Sequence, residues 1–280
     1  MRSVVFVRSA ALAAALMSMA CSDGTGQAMQ SDAGQGQAGA GSREFIPSSI
    51  GEALRELRHS AAAGADWRRF GITASATHRT RGHFDTASVD GQTTTELADV
   101  DARGASLFSI ASTGGSSRTR APFEDSTFDA SKATSAGKET ITIAGRSYEA
   151  EKFVFSREYE IQRGESRQDV FRYWLVAGIP KGIARRDWNR IAVTGGQEQV
   201  VFTSTRRLTD VDVPFRVGNR VLRSYCFTDE KHTYDNDVEK SRECWNSGVP
   251  GGLVRDEYSL VRKGRVDSAW VKELVEFEVH

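Results

Sequence analysis

The side chains that could carry chemistry are few, and most stand at spacings that catalysis does not use. The sequence has no Gly-rich phosphate loop before a helix, no Gly-x-Ser-x-Gly turn and no His-Glu-x-x-His pair. His78 and His83 enclose Arg79 and Arg81, whose positive charge disfavours a bound metal ion. We therefore interpret both histidines as solvated residues of a strand or loop.

Another group of candidate ligands lies between two cysteines, Cys226 and Cys244. Its members carry oxygen or nitrogen atoms that can bind cations: Asp229, Glu230, His232, Asp235, Asp237 and Glu239. The Asp-x-Asp-x-Asp/Asn-Gly pattern of a calcium loop is absent, and Lys240 stands where a glycine would help the turn. We interpret this segment as a solvated hairpin loop and expect no metal and no other cofactor.

A motif of Trp, a short spacer and Gly-Ile/Val-Pro-x-Gly occurs twice in the chain. Its defining residues are Trp174, Pro180 and Gly182 in the first copy, and Trp245, Pro250 and Gly252 in the second. Proline fixes φ near −65° at the first central position of a tight turn. Gly251 allows the positive φ of a type II turn in the second copy, whereas Lys181 favours a type I turn in the first.

Each copy is preceded by another shared segment. Residues 143–148 lead into an apolar run at 153–155, and residues 217–222 lead into a similar run at 225–227. Two anchors in the same order and at nearly the same distance predict an internally duplicated β unit. The units are expected at about residues 138–192 and 211–262.

Overlaying the copies predicts how the cysteines pair. The overlay places Cys226 on Val154 and Cys244 on Tyr173, so facing positions of neighbouring strands would hold a disulfide in one unit and an apolar contact in the other. Two unrelated free thiols are the alternative, which an exported chain disfavours.

The N-terminus has the features of a targeting segment. Arg2 and Arg8 accompany an apolar stretch at 9–20, which is too short to span a bilayer. The sequence Ser-Met-Ala-Cys ending at Cys21 resembles a bacterial lipoprotein signal, and this resemblance implies that Cys21 carries lipid, including palmitate, as the first mature residue. In such lipoproteins the residue at Ser22 implies sorting to the outer membrane, facing the periplasm or the surface. Ser-x-Ala also suits ordinary signal peptidase, which would leave Cys21 as a free thiol.

Composition divides the remaining chain. Residues 22–42 are mainly Gly, Ala, Gln, Ser and Asp, which predicts a flexible tether with a reach of roughly 25 Å. We assign residues 1–20 to a signal peptide, 21–45 to the lipidated cysteine and tether, and 46–280 to a β-rich domain. The 37 basic and 37 acidic side chains balance, so net charge favours neither a nucleic acid partner nor an anionic membrane surface.

The domain is expected to be mainly β. Ser49 and Glu52 form a capping-box pattern before a helix predicted over 50–63, and residues 127–137 are predicted as a loop. Short alternating segments separated by glycines then follow to the C-terminus. They predict a twisted antiparallel sheet or half-barrel, with the one N-terminal helix on its concave face.

Two resemblances concern function. The Trp-x-Ser-x-Val-Pro-Gly-Gly-x-Val-Arg turn at 245–255, with Glu-Leu-Val-Glu-Phe at 273–277, is similar to a motif of uncharacterised secreted bacterial proteins. The order of lipid signal, tether, helix and strands resembles lipoprotein-carrier and outer-membrane lipoprotein folds, in which a half-open barrel holds acyl chains. These features favour a non-enzymatic, membrane-anchored envelope module that binds a lipid or another envelope ligand. An envelope hydrolase, with carboxylates that only the fold brings together, is the alternative.

Overall fold

A computed structural model of the chain describes residues 45–60, 64–123, 129–162 and 165–279. Most of residues 75–278, where side chains alternate, form β-strands. The thirteen strands are β1 Ser75–Phe84, β2 Ala87–Val100, β3 Gly104–Ala111, β4 Ser116–Pro122, β5 Thr134–Ile143, β6 Arg146–Gln162, β7 Glu165–Leu175, β8 Ile183–Thr194, β9 Gln197–Val217, β10 Arg220–Thr233, β11 Val238–Trp245, β12 Leu253–Arg262 and β13 Arg265–Glu278. The signal segment, Cys21 and the tether up to residue 44 lie outside these ranges.

All thirteen strands belong to one antiparallel sheet. Strands β5 to β13 are neighbours in chain order, and β1 to β4 then continue the sheet beyond β13. The first strand therefore pairs with the last, with Ser75 opposite Glu278, and the open edges are β4 and β5. This arrangement confirms the prediction of a mainly β antiparallel sheet with one N-terminal helix.

The helix α1, Ile50–Ser60, covers part of one sheet face. The backbone N–H of Glu52 donates to Ser49 Oγ at 3.2 Å, as the capping pattern predicts, while the Glu52 carboxylate accepts from Ser48. The buried helix residues Ala53 and Leu57 pack against three sheet residues: Phe153, Tyr173 and Leu175. Residues 61–63 of the predicted helix lie outside the described ranges.

Cross-strand pairing defines the two faces of the sheet, because directly paired residues point to the same side. One paired row runs through Phe153, Tyr173, Arg186, Arg206, Asp229, Ser241, Tyr258 and Trp270. Since α1 packs on the first two of these residues, we call this side the helix face. The alternate residues of each strand form the opposite face.

Two local predictions were wrong. The segment predicted as a loop contains a 3₁₀ turn at Ala130–Lys132, and β5 begins at Thr134. The acidic segment between the cysteines is mostly strand, because β10 extends to Thr233 and β11 begins at Val238. Pairing with a neighbouring strand supplied backbone partners that the polar sequences do not reveal. In the described ranges, no helix has the length and apolarity that a bilayer crossing needs.

Candidate functional site

The two Trp-Pro turns share their backbone hydrogen bonds. The N–H of Val176 donates to the carbonyl of Gly182 at 3.0 Å, and the N–H of Asn246 donates to that of Gly252 at 2.8 Å. Both closing glycines have positive φ, 69° and 74° respectively. The segments therefore have like conformations, as a repeated unit requires.

Lys181 departs from the type I turn predicted for the first copy. Its φ is 56° and its ψ is −2°, close to the type II position that Gly251 occupies with a φ of 74°. Tertiary contacts hold the lysine there: Nζ lies 2.9 Å from an Asp66 oxygen and 5.1 Å from the centre of the Trp245 ring. An ion pair formed across the fold thus offsets the backbone cost of a left-handed lysine.

The two tryptophans are not structural counterparts. Val176 and Asn246 make the same hydrogen bond in the two turns and are therefore counterparts. Counting back along each strand, Leu175 is the counterpart of Trp245, and Trp174 is the counterpart of Cys244. The spacer between Trp and turn is one residue longer in the first copy, which shifted the sequence overlay by one position. Trp174 is almost fully buried, as expected for a packing residue, and Trp245 is partly buried.

The predicted Cys226–Cys244 disulfide is confirmed. The cysteines are direct partners on β10 and β11, both fully buried, with an S–S distance of 2.09 Å. The matching position in the first unit holds Lys152 and Trp174, whose Nζ and ring centre are 5.1 Å apart.

The apolar contact that the overlay placed between Val154 and Tyr173 was wrong. Val154 faces Arg172 across the strands, and Tyr173 faces Phe153. Successive side chains of a strand point to opposite faces, so placing Cys244 on Tyr173 and not on Trp174 put one member of the expected contact on the wrong side, whereas Val154 shares a face with Lys152.

One buried carboxylate on the helix face is fully paired. Asp169 is 0% exposed, and its oxygens accept hydrogen bonds from Arg157 at 2.9 Å, Arg190 at 2.8 Å and the indole N–H of Trp188 at 3.1 Å. Burial alone would raise the pKa of Asp169, but the hydrogen bonds from Arg190, Trp188 and Arg157 outweigh it and hold the pKa below its usual value.

Aromatic rings form a ladder beside this carboxylate. The ring centres of Phe155 and Phe171 are 6.0 Å apart, those of Phe171 and Trp188 are 5.5 Å apart, and those of Trp188 and Phe202 are 4.6 Å apart. These four residues come from β6, β7, β8 and β9 in order. Phe171, Trp188 and Phe202 stay partly exposed, so the ladder offers an apolar surface bordered by two arginines.

A second carboxylate on the helix face is poorly paired. Asp256 lies directly between Glu243 on β11 and Lys272 on β13, and its Oδ1 is buried without a hydrogen-bond partner. Burial, with the charge of Glu243 as the next cause, raises the pKa of Asp256 to about 7. Burial also lowers the pKa of Lys272, an effect that Asp256 opposes. This row therefore holds a carboxyl group that can exchange a proton near neutral pH.

His78 does not fit its interpretation as a solvated residue. It is 7% exposed on β1, and its Nε2 lies 2.9 Å from the carbonyl oxygen of Leu253. Burial, aided by the charge of Lys272, lowers its pKa to about 4, so the ring is neutral at physiological pH. Strand pairing buried this side chain despite its charged sequence neighbours.

A groove of about 820 Å³ extends across β9, β10, β11, β12, β13 and β1. Most lining residues alternate with those of the helix face and so belong to the opposite face. The polar ones on that face include Arg81, Thr203, Thr205, Arg207, Thr228, Glu230, His232, Lys240, Arg242, Glu257 and Ser259. The apolar side chains of the lining on that face are Ala269 and Val271.

Most charges of the groove neutralise one another. Glu230 accepts from His232 at 2.8 Å and lies 3.2 Å from Lys240, and these two hydrogen bonds lower its pKa. Arg242 lies 3.2 Å from Asp210. Arg207 is exposed and has no ion pair with any described carboxylate. It is the group best placed to meet an anionic substituent of a ligand.

Sequence reasoning found the disulfide but missed both the groove and the Asp256 row. Period-two alternation places Arg207 and Thr205 on one face, yet only strand pairing brings them beside Lys240 and Arg242. Over the described ranges, no group of three His, Cys, Asp or Glu side chains could hold a metal ion. Comparisons with protein-family models, curated proteins and solved structures find no match to this chain.

Proposed function

We propose that this chain is a membrane-anchored, non-enzymatic envelope module that binds an extended polar ligand. The observation that carries the proposal is the groove, whose hydroxyl and charged side chains follow one another over six adjacent strands. Strands lie about 4.8 Å apart, so the groove extends roughly 24 Å across the sheet. That length suits a chain better than a single compact molecule.

The lining favours an acidic, hydroxyl-rich chain such as an envelope polysaccharide. The hydroxyls of Thr203, Thr205, Thr228 and Ser259 can both donate and accept hydrogen bonds, as sugar hydroxyls require. Arg207 adds a guanidinium without an ion pair to any described carboxylate, which can bind a carboxylate or sulfate substituent. The side chains of Ala269 and Val271 leave room for the apolar face of a sugar ring.

An apolar ligand is the other version of the binding hypothesis. An acyl chain would find a continuous row of aromatic rings in the ladder of Phe155, Phe171, Trp188 and Phe202 on the helix face. A headgroup anion could then approach Arg157 or Arg190. The two versions use opposite faces of the sheet and can be separated by experiment.

Calorimetric titration with polygalacturonate, dextran and a fluorescent fatty acid tests the proposal. We expect binding of polygalacturonate, weaker binding of neutral dextran, and about tenfold weaker binding of polygalacturonate by Arg207→Ala. Arg265→Ala, an exposed arginine at the β12–β13 turn, is the matched control and should bind normally. Uptake of the fatty acid with no uptake of polygalacturonate would favour the ladder and contradict the groove.

A hydrolase is supported by one observation, the Glu243–Asp256–Lys272 row. A carboxyl with a pKa near 7 can act as a general acid or base, and a second carboxylate lies on the neighbouring strand. Asp256→Asn would then abolish turnover of an envelope polysaccharide without loss of folding. Detectable turnover that disappears in this variant would replace the binding proposal.

The anchor itself rests on the N-terminal resemblance. Mass spectrometry of the exported protein should find the mature chain beginning at a lipid-modified Cys21. A Cys21→Ser variant should move from the membrane fraction to the soluble fraction. An unmodified N-terminal peptide beginning at Cys21 would instead show ordinary secretion.

A further inference from the structure

The described chain enters the sheet domain at the Trp-Pro turns. The carbonyl of Phe45 accepts from the N–H of Lys181 at 3.0 Å, and that of Pro47 accepts from the N–H of Gly178 at 2.9 Å. The residues proposed as the tether therefore join the domain at the first of these turns. A lipid anchor at Cys21 would keep this turn within the reach of the proposed tether, roughly 25 Å, of the membrane.

Contacts bind several turns into one end of the molecule, which we call the turn end. Lys181 joins the first Trp-Pro turn to Asp66 and to Trp245 of the second. Val217, at the β9–β10 turn, packs in one cluster with Val249 of the second Trp-Pro turn. The β5–β6 turn joins them through Ile143, which clusters with Val176 and Ile179.

Exposed arginines are concentrated at the turn end. The residues concerned come from the turns and their flanks, and none has an ion pair with a described carboxylate: Arg68, Arg103, Arg146, Arg216 and Arg220. Within the described ranges, these arginines leave positive charge without an ion pair on the surface that the proposed tether joins.

Most carboxylates at this end are already neutralised. Asp212 lies 3.4 Å from Arg223, Glu149 lies 2.7 Å from Lys138, and Asp101 pairs with Arg120. Asp99, Glu276 and Glu278 are exposed there and offset part of the arginine charge. Among the described residues the five arginines still outnumber these three carboxylates, although the whole chain has equal numbers of acidic and basic side chains.

We propose that the turn end docks on an anionic phospholipid surface, with Arg68, Arg103, Arg146, Arg216 and Arg220 facing the headgroups. The nearness of the membrane rests on the proposed anchor, whereas the orientation and the attraction rest on the described arginines. Basic side chains next to a lipid anchor add to membrane affinity because each interacts with the negative surface potential. Docking through the turn end would leave the groove, on the face opposite the helix face, accessible to a ligand.

Vesicle co-sedimentation tests docking without the lipid anchor. The chain carrying Cys21→Ser is purified after export and mixed with phosphatidylcholine vesicles, either pure or containing phosphatidylglycerol. We expect binding only to the vesicles with phosphatidylglycerol, and loss of that binding at high salt. Arg146→Glu/Arg216→Glu should weaken binding by at least about tenfold.

The matched control reverses two exposed arginines elsewhere, Arg118→Glu/Arg265→Glu, at strand ends away from the turn end. This control should bind phosphatidylglycerol vesicles nearly as the parent does. Equal weakening in both double variants would show a nonspecific charge effect and overturn the proposal, as would equal binding to pure phosphatidylcholine. Far-ultraviolet circular dichroism and urea midpoints establish that each variant is folded. Because neither groove ligand nor lipid anchor takes part, failure here leaves the proposed binding function standing.

Discussion

Asp169 and Asp256 are carboxylates on the same sheet face that should respond to the same substitution in opposite ways. Asp169 is fully buried and held by two arginines and an indole. Asp256 has one buried oxygen without a partner, beside the like charge of Glu243. Replacing either by asparagine preserves size and removes the charge, so the change in the free energy of unfolding reports what each charge contributes.

The negative charge of Asp256 destabilises the folded chain, and the size of this effect on the unfolding free energy follows from the pKa of Asp256. A rise from 3.8 to about 7 corresponds to about 4 kcal/mol at 1.36 kcal/mol per pKa unit. The side chain keeps some solvent contact and lies near Lys272 and Arg206, so we expect roughly half of that, about 2 kcal/mol.

The sign follows from where the proton is bound. Below pH 3.8 both folded and unfolded chains hold the Asp256 proton, and between about pH 4 and 7 only the folded chain does. Folding stability contributed by this group is therefore lost as the pH rises through 7. Asp256→Asn should gain about 2 kcal/mol over the parent at pH 8.5, and much less at pH 5.

For Asp169 the charge is stabilising. Asp169→Asn leaves Arg157 and Arg190 without their shared carboxylate, and both side chains are largely buried, at 30% and 27% exposure. Removing one partner of a buried ion pair costs about 3–5 kcal/mol, and the remaining exposure of the arginines reduces this to about 2–3 kcal/mol. The pKa of Asp169 is lowered, so its contribution is present above 3.8 and is lost as the pH falls through the folded-state pKa.

Urea unfolding followed by far-ultraviolet circular dichroism at pH 5 and pH 8.5 measures both effects. We expect Asp256→Asn to raise the unfolding free energy mainly at pH 8.5, and Asp169→Asn to lower it at both values. A loss of stability in Asp256→Asn that is the same at both pH values would refute the reasoning on Asp256. An Asp169→Asn variant with the same unfolding free energy as the parent would refute the conclusion that the ion pairs of Asp169 stabilise the fold.

Further predictions concern the links between strands and turns. Replacing Cys226 and Cys244 together by alanine should lower the unfolding free energy by about 3 kcal/mol, because the disulfide spans a sequence separation of 18, and urea unfolding with and without reductant measures this. Lys181→Met should cost about 2 kcal/mol in urea unfolding, since it leaves the partly buried carboxylate of Asp66 with only the longer ion pair to Arg69, at 3.6 Å. Gly182→Ala should cost more than about 2 kcal/mol, since its Cβ would lie 2.6 Å from the helix, whereas Gly145→Ala meets open space and should cost only about 1 kcal/mol in thermal melts.

Local signals in the sequence predicted the elements whose causes are local. The Ser49 and Glu52 pattern marked the helix start because capping involves residues within one turn. Period-two alternation and glycine spacing indicated most strands. The repeat of Pro180 and Pro250 located two turns that have the same hydrogen bonds, and the repeat also identified the cysteine pair.

The errors arose where distant residues decide the conformation. Lys181 takes a left-handed conformation because Asp66 and Trp245 hold its ammonium group, and neither residue is near it in sequence. His78 is buried because β13 and the second Trp-Pro turn enclose β1. The equivalence of Trp174 and Trp245 failed because one extra residue lies between the tryptophan and the turn in the first copy, and a shift of one residue along a strand changes the face of a side chain.

The sequence by itself determined the compositional boundary of the proposed tether, the mainly β class, the single N-terminal helix and the disulfide, since these depend on composition, periodicity and neighbouring residues. Tertiary structure alone decided the pairing of the first strand with the last, and with it the groove from β9 to β1. It also decided which charges stay unpaired: an equal count of acidic and basic residues says nothing of where Arg207, Arg146 and Arg216 meet solvent. Pairing between residues far apart in the chain sets those positions, and no local pattern encodes it.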